Sequence, residues 1–401
     1  MEKNKCCGCS ACEQICPKKC IKMVEDEKGF IYPKINKQNC INCGRCISVC
    51  PMINNEKLKQ AEKFEIYKLT SRQTEIIKTS SSGGAFVEIV KNILSNVKPK
   101  KYKIYGAIMN DNLKVKHIGI TDIKQINKLQ KSKYVQSNMQ KIYSDIKKEL
   151  EDDTLIIFSG TPCQVAGLKN FINNQNEKNL YTIDILCHGV PSQKVFNMYV
   201  NSLENKYHSK VKKITFRNKK KIGNKIDSYC VKIELENSKC IEEYSFKNWY
   251  MLGFLKDLFY RESCTNCPFA KTTRVSDITI GDFWGIDEID KKLDANAGIS
   301  LCFANNEKGK EIFKSLKIAE KIDEKNMQKI IKNNRNLSKP SEMSQNSKSF
   351  FEELNKSNDF IKTIRKYIRR KSRLEFIVMA NIKNEIKEKF KNIIKREGVT
   401  K

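Results

Sequence analysis

The residues most able to do chemistry in this sequence are cysteines near its N-terminus. Ten of the 17 cysteines lie before residue 51, and eight of these spell C-x2-C-x2-C-x3-C-P twice. In this spacing each C-x2-C-x2-C loop supplies three thiolates to an iron–sulfur cubane, and the fourth cysteine of each run binds the other cubane. We therefore predict two [4Fe-4S] clusters. The predicted ligands are Cys6, Cys9, Cys12 and Cys50 for the first cluster, and Cys16, Cys40, Cys43 and Cys46 for the second.

Zinc is the alternative explanation for closely spaced cysteines. Zinc sites favour two C-x2-C pairs separated by a longer spacer, whereas this chain has three cysteines within seven residues, twice over. The iron–sulfur interpretation is therefore favoured. Cys7 and Cys20 fall outside the ligand positions and are expected to be packing residues or spare thiols. Because cubanes change by one electron, the N-terminal module is expected to carry electrons rather than to catalyse a reaction.

Four later cysteines lie in predicted loops. Two of them follow predicted strands, which is where ligands gather in α/β sheets. Four thiols are the number that a third cubane requires. A cysteine at a helix N-terminus can also have a lowered pKa and act as a nucleophile, with His188 as its acid or base partner. The spacing does not separate a third cluster from reactive thiols. These four residues are Cys163, Cys187, Cys264 and Cys267.

Two polar stretches offer groups for a cofactor that carries phosphate. Residues 80–86 read SSSGGAF, and free amides at the start of the following predicted helix suit a phosphate, with a plain helix cap as the alternative. Residues 132–137 read SKYVQS and offer a cation, an aromatic face and hydroxyls to a nucleotide. An ordinary surface loop is the alternative explanation there.

The elements that position these residues follow from length and periodicity. A chain of 401 residues suggests two or three domains. Helical and strand-like patterns alternate from about residue 76 to 200, which indicates a partly parallel α/β sheet. Residues 57–75 are expected to be a linker. Predicted strands lie near 104–109, 115–120, 154–158, 181–186, 277–280 and 299–304, with two or three β-like runs in 211–245.

Charge and hydropathy bear on partners and location. The net charge of +30 would ordinarily suggest nucleic acid, but the lysines are spread over the whole chain, so nucleic acid is not expected. Residues 361–401 are the concentrated basic patch, and we weigh a helix on a membrane surface against a solvated helix packed along one stripe. No secretion signal or membrane span is evident. We therefore expect the reducing cytosol, where such cysteines are metal ligands more often than disulfides.

The sequence resembles the coenzyme F-420 hydrogenase/dehydrogenase beta-subunit family, in the branch with an N-terminal double-cluster ferredoxin. The resemblance spans about residues 1–305 and is specific because its motifs occur in order. The motifs are SSSGGAF (80–86), SKYVQS (132–137), FSGTPCQVAGL (158–168), DILCHGVPS (184–192), the pair Cys264 and Cys267, and DITIGDFWGI (277–286).

This resemblance implies an FAD on the α/β domain and electron exchange among flavin, clusters and a small-molecule substrate such as a reduced deazaflavin. It favours a third [4Fe-4S] cluster over free thiols, and it makes His188 a neighbour of the flavin edge and a candidate proton donor. Family members that occur beside genes for polysaccharide synthesis suggest those enzymes as partners. The residues implied to contact FAD are Ser82, Gly83, Gly84, Ser132, Lys133, Tyr134 and Gln136.

The sequence thus predicts an α+β and α/β multidomain protein: a bacterial-ferredoxin-like dicluster domain, a mixed α/β flavin-binding domain and a helical basic tail. The expected function is an iron–sulfur, FAD-containing oxidoreductase that receives electrons from a redox partner protein or reduced ferredoxin. Two alternatives stay open: a non-catalytic electron-transfer subunit of a larger redox or polysaccharide-biosynthesis complex, and a cluster-bearing protein that docks on membranes or partners. The expected ranges are 1–56 for the dicluster domain, 76–150 and 151–305 for the two regions of the beta-subunit family, and 306–401 for the tail.

Overall fold

The computed structural model describes residues 2–58, 63–173, 176–222, 225–290 and 298–368. Residues 369–401, which are most of the basic patch 361–401, therefore lie outside the described residues, and the interpretation of the patch as a membrane-surface helix stays a prediction. No helix within these ranges is long and apolar enough to cross a bilayer.

The N-terminal unit repeats one small motif. Helices α1 (Ala11–Ile15) and α2 (Arg45–Ser48) each contain the third cysteine of a run, and each begins after a residue with left-handed backbone: φ is 63° at Ser10 and 71° at Gly44. Strands β1 (Ile21–Glu25) and β2 (Ile31–Ile35) pair antiparallel between the two helices. The internal repeat of the sequence is thus repeated in the backbone.

The rest of the described chain is a mixed α/β body. In chain order its strands are β3 (Glu65–Leu69), β4 (Tyr102–Met109), β5 (Val115–Ile120), β6 (Leu155–Gly160), β7 (Leu180–Ile185), β8 (Val211–Ile222), β9 (Lys225–Leu235), β10 (Cys240–Tyr244), β11 (Ile278–Asp282), β12 (Ser300–Ala304) and β13 (Ala319–Ile322). Its helices are α3 (Thr74–Thr79), α4 (Ala85–Val97), α5 (Ile142–Glu151), α6 (Pro162–Ile172), α7 (Gln193–Tyr207), α8 (Trp249–Leu255), α9 (Glu307–Ser315), α10 (Met327–Asn333), α11 (Ser347–Ser357) and α12 (Phe360–Tyr367).

An eight-stranded sheet in the order β13-β3-β12-β11-β7-β6-β4-β5 forms the centre of the body. Strands β11, β7, β6 and β4 are parallel to one another, and the antiparallel strands β12 and β5 flank them. The carboxyl ends of the four parallel strands therefore meet at one edge, the usual position of ligands in α/β sheets. Cys163 follows β6 and Cys187 follows β7, so this edge receives two of the later cysteines.

A second, three-stranded sheet in the order β10-β9-β8 packs with helices α7, α8, α11 and α12. Aromatic rings dominate this core, and Phe350 and Phe360 of the two last helices are fully buried in it. Because large aromatic side chains supply much of the free energy of burial, the described part of residues 306–368 is integral to the body.

Two expectations about the ends of the body were wrong. Residues 57–75, expected to be a linker, include β3, which lies between β12 and β13 in the large sheet. The helical segment after residue 305 also contributes β13 to the edge of that sheet. Both strands are only four or five residues long and pair with residues distant in sequence, so no local pattern marks them.

Candidate iron–sulfur and cofactor site

The first cysteine loop is buried against the body. Cys6 and Cys9 are less than a tenth exposed. Burial raises the pKa of Cys12 to about 12, and the nearby thiols of Cys6 and Cys50 raise it further. The predicted ligands of the first cluster thus lie at one place, where α1 packs on α5 and α6.

The second cysteine loop faces solvent. Cys43 is exposed, and a Cβ built on Gly44 would meet no atom within 4 Å. Hydrogen bonding to Cys16 raises the pKa of Cys20 to about 11, and the neighbouring Cys40 thiol adds to this. Cys20 thus lies between two predicted ligands of the second cluster, with its Sγ 3.4 Å from that of Cys16.

The four later cysteines line one cavity at the carboxyl edge of the sheet. Helix α6 begins at Pro162, a residue suited to the first helical position, and the Gln164 side chain accepts from the Thr161 N–H at 2.9 Å. This start places Cys163 in the first turn. The loop after β7 supplies Cys187. A 3-10 helix, Glu262–Asn266, and the residue after it supply the remaining two thiols. The cysteines that share the cavity are Cys163, Cys187, Cys264 and Cys267.

The environment of these thiols opposes the nucleophile interpretation. Interaction with the Cys7 thiol and burial raise the pKa of Cys163 well above its usual value. Burial raises the pKa of Cys264 to about 12 and that of Cys267 to about 11, with the Cys163 thiol adding to both. A reactive cysteine needs a lowered pKa. These surroundings favour neutral thiols until a metal replaces their protons.

The chemistry of the donor set is compatible with a cubane. Within the described ranges, no three His, Cys, Asp or Glu side chains are close enough to share one metal ion. A cubane spreads its thiolates over separate iron atoms, so its ligands stand farther apart than the four ligands of one zinc ion. Four soft sulfur donors in a largely apolar cavity suit iron and sulfide.

Cys7 joins the first cysteine loop to this cavity. It lines the same cavity as Cys163, and the interaction of the two thiols contributes to the raised pKa of Cys163. One turn farther along α6, the Cys9 Sγ lies 3.3 Å from where a Cβ on Gly167 would be. Cys7, expected to be a packing residue or a spare thiol, therefore lies between two groups of predicted ligands.

A fully buried arginine holds the same junction, although it was not a predicted site residue. Arg261 donates from Nε to Cys6 O at 2.6 Å, from Nη2 to Ile31 O at 2.7 Å and from Nη1 to Gln136 Oε1 at 3.0 Å. The backbone N–H of Cys264 donates to Arg261 O at 2.9 Å. The only feature of the sequence that could have indicated a role for Arg261 at this site is its position three residues before Cys264.

Gln136, implied by the resemblance to contact FAD, faces the cysteines. Its Nε2 donates to Cys7 O at 2.9 Å while its Oε1 accepts from Arg261. The loop at Gly8 closes tightly over both side chains, because a Cβ there would lie 2.8 Å from Gln136 Nε2 and from Arg261 Nη1. Gln136 thus connects the SKYVQS stretch to the first cysteine loop.

The SSSGG and SKYVQS stretches meet, and cations surround them. The Ser132 N–H donates to Ser81 Oγ at 2.9 Å. Arg217 Nη2 donates to Ser81 O at 3.0 Å, and Lys219 Nζ donates to Ser82 O at 2.7 Å. Arg217 also forms a bidentate ion pair with Asp282 of the DITIGDFWGI stretch. Neither Arg217 nor Lys219 was a predicted site residue, because a strand that carries several charged side chains is expected to face solvent.

Three lysines at this place have lowered pKa values. Burial lowers the pKa of Lys133 to about 7. Burial lowers the pKa of Lys131 and that of Lys219 to about 8, and the charge of Arg217 contributes to both. Crowded, partly desolvated ammonium groups regain their charge when an anion joins them. The electrostatics therefore suit a phosphate-bearing ligand.

The glycines of the SSSGG stretch have a structural explanation of their own. A Cβ on Gly83 would lie 2.2 Å from Leu69 O and 2.8 Å from Ser300 N, so the loop packs directly on β3 and β12. Gly84 has a φ of +92°, which favours glycine. The Ser82 hydroxyl donates to Ile299 O at 2.8 Å. The close packing holds the loop backbone in place beside the cations.

Aromatic rings connect the cation cluster to the cysteine cavity. The Tyr134 ring lies 4.6 Å from that of Phe254, which lies 5.4 Å from His188. His188 lines the cysteine cavity, with Nε2 3.0 Å from Asp257 Oδ1 and Nδ1 3.2 Å from Asn336 Oδ1. The imidazole is thus held at both nitrogens between the thiols and the aromatic rings.

Two family profiles match the chain. The profile for the C terminus of the coenzyme F420 hydrogenase/dehydrogenase beta subunit matches residues 153–330, and that of a 4Fe-4S dicluster domain matches residues 5–53. Residues 153–330 are therefore similar to the C terminus of that beta subunit, and they follow a dicluster domain. The two matched ranges contain all 12 predicted cluster ligands. The chain is therefore an iron–sulfur redox protein, and the similarity indicates an oxidoreductase.

The chain was also compared with solved structures and with curated proteins. A chain in the F420-reducing [NiFe] hydrogenase complex from Methanosarcina barkeri is 16% identical, with 69% of this chain and 91% of that chain covered and a TM-score of 0.45. No curated protein matches significantly.

Proposed function

We propose that the chain is an FAD-containing iron–sulfur oxidoreductase in which the dicluster unit, a third cubane and the flavin form one electron path to a small-molecule substrate. The observation that carries this proposal is that Cys7, in the first cysteine loop, lines the same cavity as the four later cysteines. Without that shared cavity the two groups of thiols would be separate sites.

The third [4Fe-4S] cluster would be held by the four thiols of the cavity, Cys163, Cys187, Cys264 and Cys267. All four are partly buried, which limits the access of water, and burial is one of the factors that set a cluster's potential. Arg261 holds the backbone of the first loop on one side and that of Cys264 on the other. The chain thereby fixes the separation between the first cluster and the cavity.

FAD would be held where the SSSGG and SKYVQS stretches meet, with its pyrophosphate near Lys133, Lys219 and Arg217. A bound flavin couples the one-electron steps of clusters to two-electron chemistry on a substrate. The chain supplies the cations and the closely packed loop backbone at Ser82. The resemblance also implies Gly83, Gly84, Ser132, Tyr134 and Gln136 as neighbours of the cofactor.

Lys133→Met is expected to weaken FAD binding by about 10- to 100-fold, the cost of about 1.5–3 kcal/mol for one charged hydrogen bond. Titration of FAD-free protein with FAD, followed by flavin fluorescence, measures this. Lys114→Met, at an exposed turn, is the matched control and should bind FAD as the wild type does. An unchanged affinity in Lys133→Met would contradict the assignment.

The pH dependence of the same titration gives a second readout. Lys133, with a pKa of about 7, and Lys131 and Lys219, with a pKa of about 8, lose their charge as pH rises through these values. An anion binds the protonated lysines, so wild-type affinity should be greatest below pH 7 and should fall between pH 7 and 9. The fall should be smaller in Lys133→Met.

His188 would hold a proton at Nε2, oriented by Asp257, for transfer at the flavin edge. General acid–base groups contribute at least about 100-fold, so His188→Ala should slow flavin reduction by about that factor. Iron and FAD content should not change. Stopped-flow reduction with reduced methyl viologen measures the rate, and His208→Asn, at the end of α7, is the control. Full turnover by His188→Ala would remove this role.

Cofactor counts separate the proposal from a purely electron-transferring subunit. The proposal requires about twelve irons and one FAD per chain after purification without oxygen, since each cubane has four irons. About eight irons without flavin would instead favour the subunit.

A further inference from the structure

We propose that the face around the second cysteine loop is the docking site of an acidic protein that carries one electron. This entry face comprises residues 16–24 and 34–47. The proposal deepens the proposed function and rests on it, because the face matters only if the second cluster accepts electrons. The sequence motifs alone assign no surface to the redox partner.

Exposure makes this face the accessible end of the electron path. Cys43 is exposed, and the space beside Gly44 is open. The corresponding glycine of the first loop, Gly8, is covered by Arg261 and Gln136. Electron transfer weakens steeply with distance, so a partner protein can approach the second cluster closely but not the first.

The path inward from this face is continuous. Cys46 of the second loop lies near Cys12 and Cys50 of the first cluster. Cys7 of the buried first loop in turn lines the cavity that also contains Cys163. Electrons that enter at the exposed loop therefore have a route through the first cluster to the cavity.

Apolar side chains give the face a surface suited to transient contact. Of the ten large apolar side chains exposed within the described ranges, five lie between residues 24 and 53. Ile41 and Ile47 flank the exposed Cys43, and both are 57% exposed. An apolar centre with a charged rim is the usual arrangement of a protein–protein interface.

The charge of the rim selects an acidic partner. Residues 16–24 and 34–47 contain six exposed Lys or Arg residues and no Asp or Glu. None of the six takes part in an ion pair among the described contacts, whereas Lys3 at the other end of the unit pairs with Asp26 and Glu27. A one-signed patch steers an oppositely charged protein into place. The six cations are Lys18, Lys19, Lys22, Lys34, Lys37 and Arg45.

A redox carrier explains these features better than another anion does. A nucleic acid or an anionic membrane would meet the positive charge but would make no use of an exposed cysteine loop at its centre. In the step proposed, one electron leaves the reduced carrier and enters the second cluster. The carrier is oxidised by one electron, the cluster is reduced by one, and no bond or proton moves.

The test compares two charge-reversed variants of the full-length protein. The entry-face variant is Lys34→Glu, Lys37→Glu and Arg45→Glu. The control is Lys124→Glu, Lys317→Glu and Lys348→Glu, which changes the net charge equally at exposed sites outside the face. Iron content verifies that both variants retain their clusters. Reductants are a reduced acidic two-cluster ferredoxin and, as a small cation, reduced methyl viologen.

We expect the rate constant for reduction by ferredoxin to fall at least about 10-fold in the entry-face variant at low salt, since steering raises association rates by 10-fold or more. The control should retain the wild-type rate, and added salt should slow the wild type, because ions screen exposed charges. Reduction by methyl viologen should not slow in either variant.

Two kinds of failure are distinguishable. If methyl viologen reduces no cluster in the wild type, the proposed function itself is wrong. If it does, equal ferredoxin rate constants in all three proteins, or no reduction of the wild type by ferredoxin, would overturn the docking proposal alone. An entry-face variant that loses binding to phosphatidylglycerol vesicles while its ferredoxin rate is unchanged would also overturn it, in favour of a membrane contact.

Discussion

Cys264→Ser is expected to lower the iron content of protein purified without oxygen by about four atoms, from about twelve to about eight per chain. Cys264 lies in the cavity shared with Cys163, Cys187 and Cys267, distant in sequence from the dicluster unit. A serine hydroxyl is a poor ligand for iron, because clusters are held by thiolates. The dicluster unit should keep its own irons, while reduction of the flavin by the clusters should nearly stop.

Cys240→Ser is the matched control, since Cys240 is an exposed cysteine on β10 outside every predicted ligand set. It should retain the wild-type iron content and the wild-type rate of flavin reduction. Iron analysis and stopped-flow absorbance provide the two measurements. A Cys264→Ser protein that keeps both values would show that the cavity holds no cluster on the electron path.

Arg261→Met is expected to lower the free energy of unfolding by about 3 kcal/mol or more. The substitution removes three charged hydrogen bonds and leaves Cys6 O and Ile31 O, both paired now, without their donor; each such loss costs about 1–3 kcal/mol. The docking of the first loop beside the cavity should loosen as well. Electron passage from the dicluster unit to the flavin should therefore slow even in chains that remain folded.

Urea unfolding and stopped-flow flavin reduction measure these two effects. Arg261→Lys keeps the charge but not the planar fork of donors, so it should recover only part of the stability. Arg72→Met, at an exposed position, should change the stability by no more than about 0.5 kcal/mol. If Arg261→Met lowered the free energy of unfolding no more than Arg72→Met does, Arg261 would not hold the junction.

The features that sequence predicted well are those whose physical cause is local. The spacing of the two cysteine runs follows from how a short loop wraps a cubane, and the dicluster match over residues 5–53 agrees with it. The helix after Gly84 and the strands near residues 104–109 and 115–120 also follow from local periodicity.

The features that sequence missed depend on distant pairing. Strand β3 is held by β12 and β13, more than 200 residues away, so its five residues lack a signal of their own. Arg261 meets Cys6 and Ile31 over similar separations. The lowered pKa expected for a thiol at a helix start does not occur at Cys163, because the fold brings the Cys7 thiol and burial to it.

The metal content of protein purified without oxygen tests the central claim most directly. If the eight N-terminal thiolates hold two cubanes, each chain contains at least about eight irons and eight sulfides. After reduction, electron paramagnetic resonance should show two interacting clusters. Colourless protein that contains zinc and no sulfide would contradict the account.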